Sequence, residues 1–256
     1  MSSIDLLDKT RKIGKFLFHN NKSKVAFNDI CRIMRETTRS DVLVISRKGK
    51  VLGKAVQDRT GALLDEEVGT FLTGELGERL EAVLSTKENV NLETLGFSRE
   101  TAKKFHALIV PTVITGERVG TLFVYREGEE YSIEDIILCE YGSTVVGLEM
   151  LRSLKEEASE EQRKDQEIAA AFSTLSHSEK QAIFQIFDEL DGNEGILIAS
   201  RIAEKVGITR SVIVNALRKF ESAGIIESRS SGMRGTYIKV LNDHVYDEVE
   251  NLKNQN

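Results

Sequence analysis

A chain of 256 residues with one proline, no tryptophan, two cysteines and four histidines lacks the material for several chemistries at once. Cys31 and Cys139 lie far apart in stretches that both read as helical. That excludes a disulfide framework and a zinc site, and leaves both as buried small hydrophobes. His19, His106, His177 and His244 are scattered, without His, Cys, Asp or Glu neighbours at ligand spacing, so no metal site is expected. No apolar run is long enough to span a membrane. Met1 to Asp8 has no basic segment ahead of an apolar core, so the chain is expected to stay in the cytoplasm. Repeats and low-complexity tracts are absent. The G-x-x-x-x-G-K-[ST] phosphate loop is absent too, because Gly49-Lys50 is followed by Val51 and Gly53-Lys54 by Ala55. With no paired carboxylates, nucleophile elbow or metal cluster, no catalytic residue is nominated and the chain is not expected to be an enzyme.

What is present is an ordinary balance of 40% hydrophobic and 30% charged residues, with a formal charge of −6 and enough length for two cores. The fold class expected is α+β. Asp5 to His19 reads as an amphipathic helix carrying Leu6, Ile13, Phe16 and Leu17, followed by a polar turn from Asn20 to Lys24. A second helix is predicted over about Asn28 to Thr37. Asp41 to Ser46 and Val51 to Ala55 form a hairpin, as do Ala107 to Ile114 and Gly120 to Tyr125. Between them, Asp65 to Leu84 reads as one or two helices and Glu88 to Gly96 as polar and irregular. This stretch, Lys54 to His106, reads equally as the lid of a small-molecule site or as ordinary connecting structure. Helices, two hairpins and an irregular middle describe a GAF-like domain over residues 1–132. A long helix over 133–172 follows, apolar first and charged from Lys155 to Glu167, which suits a connector and a dimer surface.

Residues 173–256 carry the most specific pattern. Ser176-His177-Ser178-Glu179 is a capping box, and the helix behind it buries Ile183, Ile186, Phe187 and Leu190. Val206-Gly207-Ile208 breaks two amphipathic segments, and Thr209 stands where a helix N-cap is wanted, its hydroxyl able to take an orphan backbone N–H. Ile213, Leu217 and Phe220, with Val212 and Ala216, form the core-facing stripe of the second segment. Arg210, Ser211, Val214, Asn215 and Arg218 then face outward, and these side chains suit base edges and phosphates in a groove. Ala223-Gly224 stops that helix. Ile225 to Arg229 and Thr236 to Val240 make a hairpin around a turn-rich tip, which places Arg229, Arg234 and Lys239 for backbone phosphates. From Ile196 to Val240 eight cationic and three acidic residues give a net +5 within an acidic chain. A winged helix-turn-helix that docks on double-stranded DNA is the reading.

Several of these runs are long enough to carry a resemblance. Phe187-Asp188-Glu189-Leu190-Asp191-Gly192-Asn193-Glu194-Gly195, the run from Val206 to Lys219, Gly235 to Asn242, and Glu140-Tyr141-Gly142-Ser143-Thr144-Val145-Val146-Gly147-Leu148-Glu149 closely resemble the CodY family, pleiotropic transcriptional repressors of low-GC Gram-positive bacteria. The resemblance implies a dimer or higher homo-oligomer with a GAF domain sensing branched-chain amino acids such as isoleucine and valine, and GTP as a second effector. It also implies binding to AT-rich palindromic sites, and it puts Arg210 and Ser211 on positions of DNA contact. In such proteins an arginine pairs with the ligand carboxylate, and Met, Phe, Pro and Tyr residues form an apolar cup. This chain departs there: Asp58 to Leu84 contains no Met, Pro or Tyr, and Phe97 is followed by Ser98 instead of proline. Arg59, Phe71 and Phe97 are the effector-site candidates that remain. A constitutive or differently liganded DNA-binding regulator stays open as an alternative, as does a nucleotide hydrolase with a DNA-binding tail.

Overall fold

The computed structural model describes residues 3–18, 27–56, 63–64, 66–232 and 235–254. The expected turn from Asn20 to Lys24, His19, Arg59 and Arg234 lie outside them. The chain divides into two compact units, Met1–Lys155 and Glu156–Asn256.

The first unit is built on five antiparallel strands: β1 (Asp41–Ser46), β2 (Val51–Ala55), β3 (Lys87–Val90), β4 (Phe105–Ile114) and β5 (Glu117–Glu127), in the order β2-β1-β5-β4-β3. The period-2 pattern sends alternate side chains to opposite faces, and both faces are buried. Val42, Val44, Leu108, Val110, Leu122 and Val124 pack against α1 (Ser3–Gly14), α2 (Phe27–Thr38) and the first half of α5 (Ile133–Ser173). Leu43, Ile45, Ala107, Ile109, Phe123 and Tyr125 pack on the other side. There they meet the segment around α3 (Leu76–Glu81), a 3-10 turn at Leu92–Leu95, and α4 (Arg99–Lys104).

Four expectations for this unit need correction. The first helix ends at Gly14 and tightens into a 3-10 turn over Lys15–Phe18. The one or two helices read over Asp65 to Leu84 shrink, among the described residues, to the six residues of α3. Glu88 to Gly96 is not irregular, because Lys87–Val90 borrows a strand conformation from the edge of β4 and Leu92–Leu95 turns behind it. The helix α4 was not foreseen. Cys31 and Cys139 sit in the core of the unit, where burial pushes the Cys31 thiol up to about 12 and raises that of Cys139 as well. Neither is a thiolate at neutral pH.

α5 changes character along its length. Leu138, Cys139, Val145, Val146 and Met150 belong to the first core, whereas Ile168, Ala171 and Phe172 belong to the second. The stretch between is exposed and laced by i,i+3 and i,i+4 pairs, Arg163 with Glu160 and Glu167 and Lys164 with Glu161. These charges are a solvated helical face.

The second unit adds α6 (His177–Glu189), β6 (Glu194–Leu197), α7 (Ala199–Val206), α8 (Arg210–Ser222), β7 (Ile226–Ser230), β8 (Thr236–Val240) and α9 (Val245–Asn254), with strand order β6-β8-β7. β6 and α9 were not anticipated. The capping box is formed in full: Ser176 Oγ accepts from the Glu179 amide, and the Glu179 carboxylate accepts from the Ser176 amide at 2.8 Å.

Candidate nucleic-acid interface and ligand cavity

α7 and α8 are joined by a turn that only a left-handed residue closes tightly, and Gly207 supplies it with φ +71°. α8 then buries Ile213, Ala216, Leu217 and Phe220, with Val212 half-buried. The opposite side of the helix is the surface that remains. Thr209, Arg210, Ser211, Asn215 and Arg218 are exposed, and Val214 is half-buried. Thr209 does occupy the N-cap position with extended backbone, but its hydroxyl makes no cap bond. It pairs with the Ser211 hydroxyl at 2.8 Å, which corrects the capping role expected of it. The two hydroxyls thus stand together at the start of the exposed face.

The cations of the unit separate into two groups. Lys219 donates to the Glu179 carboxylate at 2.8 Å and to the Thr174 carbonyl at 2.9 Å, tying α8 to the capping box. Lys205 pairs with Glu189 at 3.1 Å. Arg229 folds onto Glu227, its Nε 2.9 Å from the carboxylate. Among the described residues, Arg210 and Arg218 have no carboxylate partner. Lys239 is exposed, but in the sheet it lies opposite Glu194 on one side and Glu227 on the other, so a phosphate must compete with both. At the wing tip the Ser231 amide donates to the Gly235 carbonyl at 2.8 Å. Arg234, in that tip, lies outside the described residues.

In the first unit a cavity of about 660 Å³ opens beside α3, lined by Leu63, Leu64, Glu66, Thr73, Gly74, Glu75, Leu76, Arg79, Leu95, Gly96 and Phe97. Leucines 63, 64, 76 and 95 with Phe97 form its apolar wall. Arg79 is the cation among its described lining residues, with Nη2 on the Glu75 carboxylate and Nη1 3.4 Å from the Thr94 carbonyl. Gly96 holds φ +96°, and a Cβ there would come within 2.8 Å of Arg79 Nη1, so the bare backbone makes room for the guanidinium. Glu66, also in the lining, accepts from the Thr73 hydroxyl at 3.0 Å. α3 itself is held from below by Arg118 of β5, which donates to the carbonyls of Leu80 at 2.9 Å, Glu81 at 2.7 Å and Val83.

Of the three effector-site candidates, Phe97 lines this cavity. Phe71 does not: its backbone bridges to Lys50 and its side chain is 57% exposed. Arg59 lies outside the described residues. Sequence reading missed Arg79, Glu75 and Glu66, since an i,i+4 Glu-Arg pair reads as an ordinary helix-surface pair until the fold brings Leu95 to Phe97 alongside it. Among the described residues no group of His, Cys, Asp and Glu could hold a metal ion, and no helix is long and apolar enough to cross a membrane.

Comparison with known proteins matches two family domains to the chain. The CodY GAF-like domain family matches residues 5–174, and the CodY helix-turn-helix domain family matches residues 193–253. Proteins named global transcriptional regulator CodY are similar along the whole chain. The one from Clostridium beijerinckii is 44% identical and that from Clostridium kluyveri 47%, each match covering 97% of this chain and 99% of the relative. That from Thermoanaerobacter sp. strain X514 is 46% identical, covering 97% and 98%. Among solved structures, the cofactor-binding GAF domain of the nutrient sensor CodY from Clostridium difficile is 32% identical, with a TM-score of 0.44, over 59% of this chain and 99% of that one.

Proposed function

Because the chain belongs to the CodY family of global transcriptional regulators, we propose that it binds AT-rich palindromic operators, mainly as a repressor, and that metabolites control its affinity. The observation that carries the reading is the exposed face of α8, where Arg210 and Arg218 stand without a described carboxylate partner beside Thr209, Ser211 and Asn215. An unneutralised arginine on a helix-turn-helix is the group that can pair bidentately with guanine or grip a phosphate. A palindrome calls for two copies of the chain. The exposed apolar side chains of α5, among them Ile133, Ile137, Leu148, Leu151 and Leu154, support pairing along that helix.

We place a branched-chain amino acid, isoleucine or valine, in the cavity beside α3. Its residues fit that ligand: a guanidinium for the carboxylate, acidic side chains for the ammonium, and five apolar walls for the branched side chain. The described lining does not fit a triphosphate, whose charge one arginine beside two carboxylates would leave largely unanswered. GTP therefore enters as a second effector, at a site elsewhere, on family membership alone.

The test is fluorescence anisotropy of a labelled AT-rich palindromic duplex and a scrambled duplex of equal composition, at fixed salt, with and without isoleucine and GTP. The expected result is tighter binding to the palindrome, tighter still with ligand. Equal affinity for the two duplexes would overturn the operator reading, and indifference to both metabolites would overturn the effector reading.

A further inference from the structure

α5 enters the second core only with its last turns, through Ile168, Ala171 and Phe172. One turn before them, the segment between β8 and α9 takes hold of the helix again. Asn242 is buried there, and its Nδ2 donates to the Lys164 carbonyl at 3.0 Å. Two residues on, His244 stands against Glu161 and Asp165, which lie four apart and so share one face of α5. Its Nδ1 is 2.7 Å from Asp165 and its Nε2 2.8 Å from Glu161. The segment is itself fixed, because the Leu241 and Asn242 amides both donate to the Ile225 carbonyl, at 2.8 and 3.2 Å, and Val245 is buried in the core. This clasp extends the part of α5 bound to the DNA-binding unit from Ile168 back to Glu161, about two turns or roughly 10 Å of helix.

We infer that His244, backed by Asn242, is a positioning residue for operator recognition: by fixing the direction in which α5 leaves the DNA-binding unit, it holds two copies of α8 at the spacing of two half-sites. An anchor confined to Ile168, Ala171 and Phe172 lets α5 swing about its last turns. Docking on a palindrome then has to order that motion, whereas docking on one half-site does not, so the clasp favours the palindrome alone. Asn242 supplies the part of the clasp that is indifferent to pH. His244 supplies the rest, because only the imidazolium donates at both nitrogens, while the neutral ring keeps one donor and turns a lone pair toward the other carboxylate. The charged groups that face it from α5 are Asp165, Glu161 and Lys164, the last paired with Glu161 at 3.4 Å. Along its own segment the nearest are Asp243, Asp247 and Glu248, all acidic. The closed clasp therefore favours the cation, and it loosens as pH rises through the folded value.

This rests on two copies of the chain reading a palindrome, and the test keeps the two apart. Anisotropy on the full chain, with isoleucine and GTP present at fixed low salt, would compare a palindromic AT-rich duplex with one carrying a single half-site. The proteins are the native chain, His244→Gln and His244→Lys, each at about pH 6 and about pH 9. The native protein should prefer the palindrome, and that preference should shrink by about threefold to tenfold between the two pH values, the scale of two partly exposed ion pairs. His244→Gln should show the smaller preference at both. His244→Lys, a cation throughout, should keep the larger one at both. Half-site affinity should be alike in the three proteins at each pH. A native preference that does not change with pH, or one that changes equally in all three proteins, overturns the role of His244 and leaves the operator reading standing. So does a half-site affinity that falls in His244→Gln as far as palindrome affinity does, since the loss is then of the unit and not of its spacing. No preference for the palindrome in the native protein overturns the operator reading and the inference together.

Discussion

At the scale of single residues, the charged side chains divide by what already holds them. Arg210 is exposed and has no described carboxylate partner, so Arg210→Ala should cost operator binding about 1–3 kcal/mol while changing affinity for random DNA far less. Anisotropy on the two duplexes reads the difference, and equal losses would contradict base readout by this residue. Arg229 is the opposite case, because Glu227 holds its guanidinium. Glu227→Gln should release it, tighten binding to any DNA, and steepen the salt dependence by up to about one counterion. An unchanged salt slope would mean that the wing carries no phosphate contact at Arg229.

His244 supplies a pH dependence. Its Nδ1 lies 2.7 Å from Asp165 and its Nε2 2.8 Å from Glu161, both on α5, and only the imidazolium can donate at both positions. The hydrogen bond to Asp165, with the fields of Glu161 and Asp165, raises its pKa above the ordinary histidine value, while desolvation and, less strongly, Lys164 oppose this. A pKa raised in the folded state makes the contact fully stabilising below about pH 6.5, with the contribution lost as pH climbs through the folded value. His244→Gln should therefore lower the urea midpoint at pH 6 and do so less at pH 9. A loss independent of pH would show that charge is not what the contact uses.

At the scale of elements, what was legible depended on whether an element carries its own composition or period. β1 and β2 begin and end where a short β-rich run and its return across a turn place them, at Asp41–Ser46 and Val51–Ala55, and β8 where alternation does, at Thr236–Val240. The stripe of α8 was readable for the same reason. β3 and β6 were not, since Lys-Glu-Asn-Val and Glu-Gly-Ile-Leu hold no strand pattern and become strands only by pairing with β4 and β8. The cavity was only partly legible. Phe97 could be nominated, but Arg79 acquires its meaning from Gly96 and Thr94, residues that the fold carries to it. Two element-level tests follow. Ser176→Ala removes half of the capping box of α6 and should cost about 1 kcal/mol of stability, measured as a lowered urea midpoint with unchanged slope. Arg118→Ala uncaps the carbonyls at the end of α3 and should weaken isoleucine binding through loss of the Arg79 position, although Arg118 does not line the cavity.

For the whole molecule, one unit carries the cavity beside α3, and the other carries the exposed face of α8 with Arg210 and Arg218, which have no carboxylate partner among the described residues. A metabolite can change DNA affinity only by binding more tightly to one arrangement of the protein than to another, and the coupling must be reciprocal. Operator DNA should therefore tighten isoleucine binding by the same factor by which isoleucine tightens operator binding. The most direct measurement is operator affinity by anisotropy across an isoleucine titration, for the native protein and Arg79→Ala side by side. The account predicts that isoleucine tightens operator binding by the native protein, and that Arg79→Ala keeps the ligand-free affinity but no longer responds. An isoleucine response that survives in Arg79→Ala would contradict control of DNA binding through this cavity.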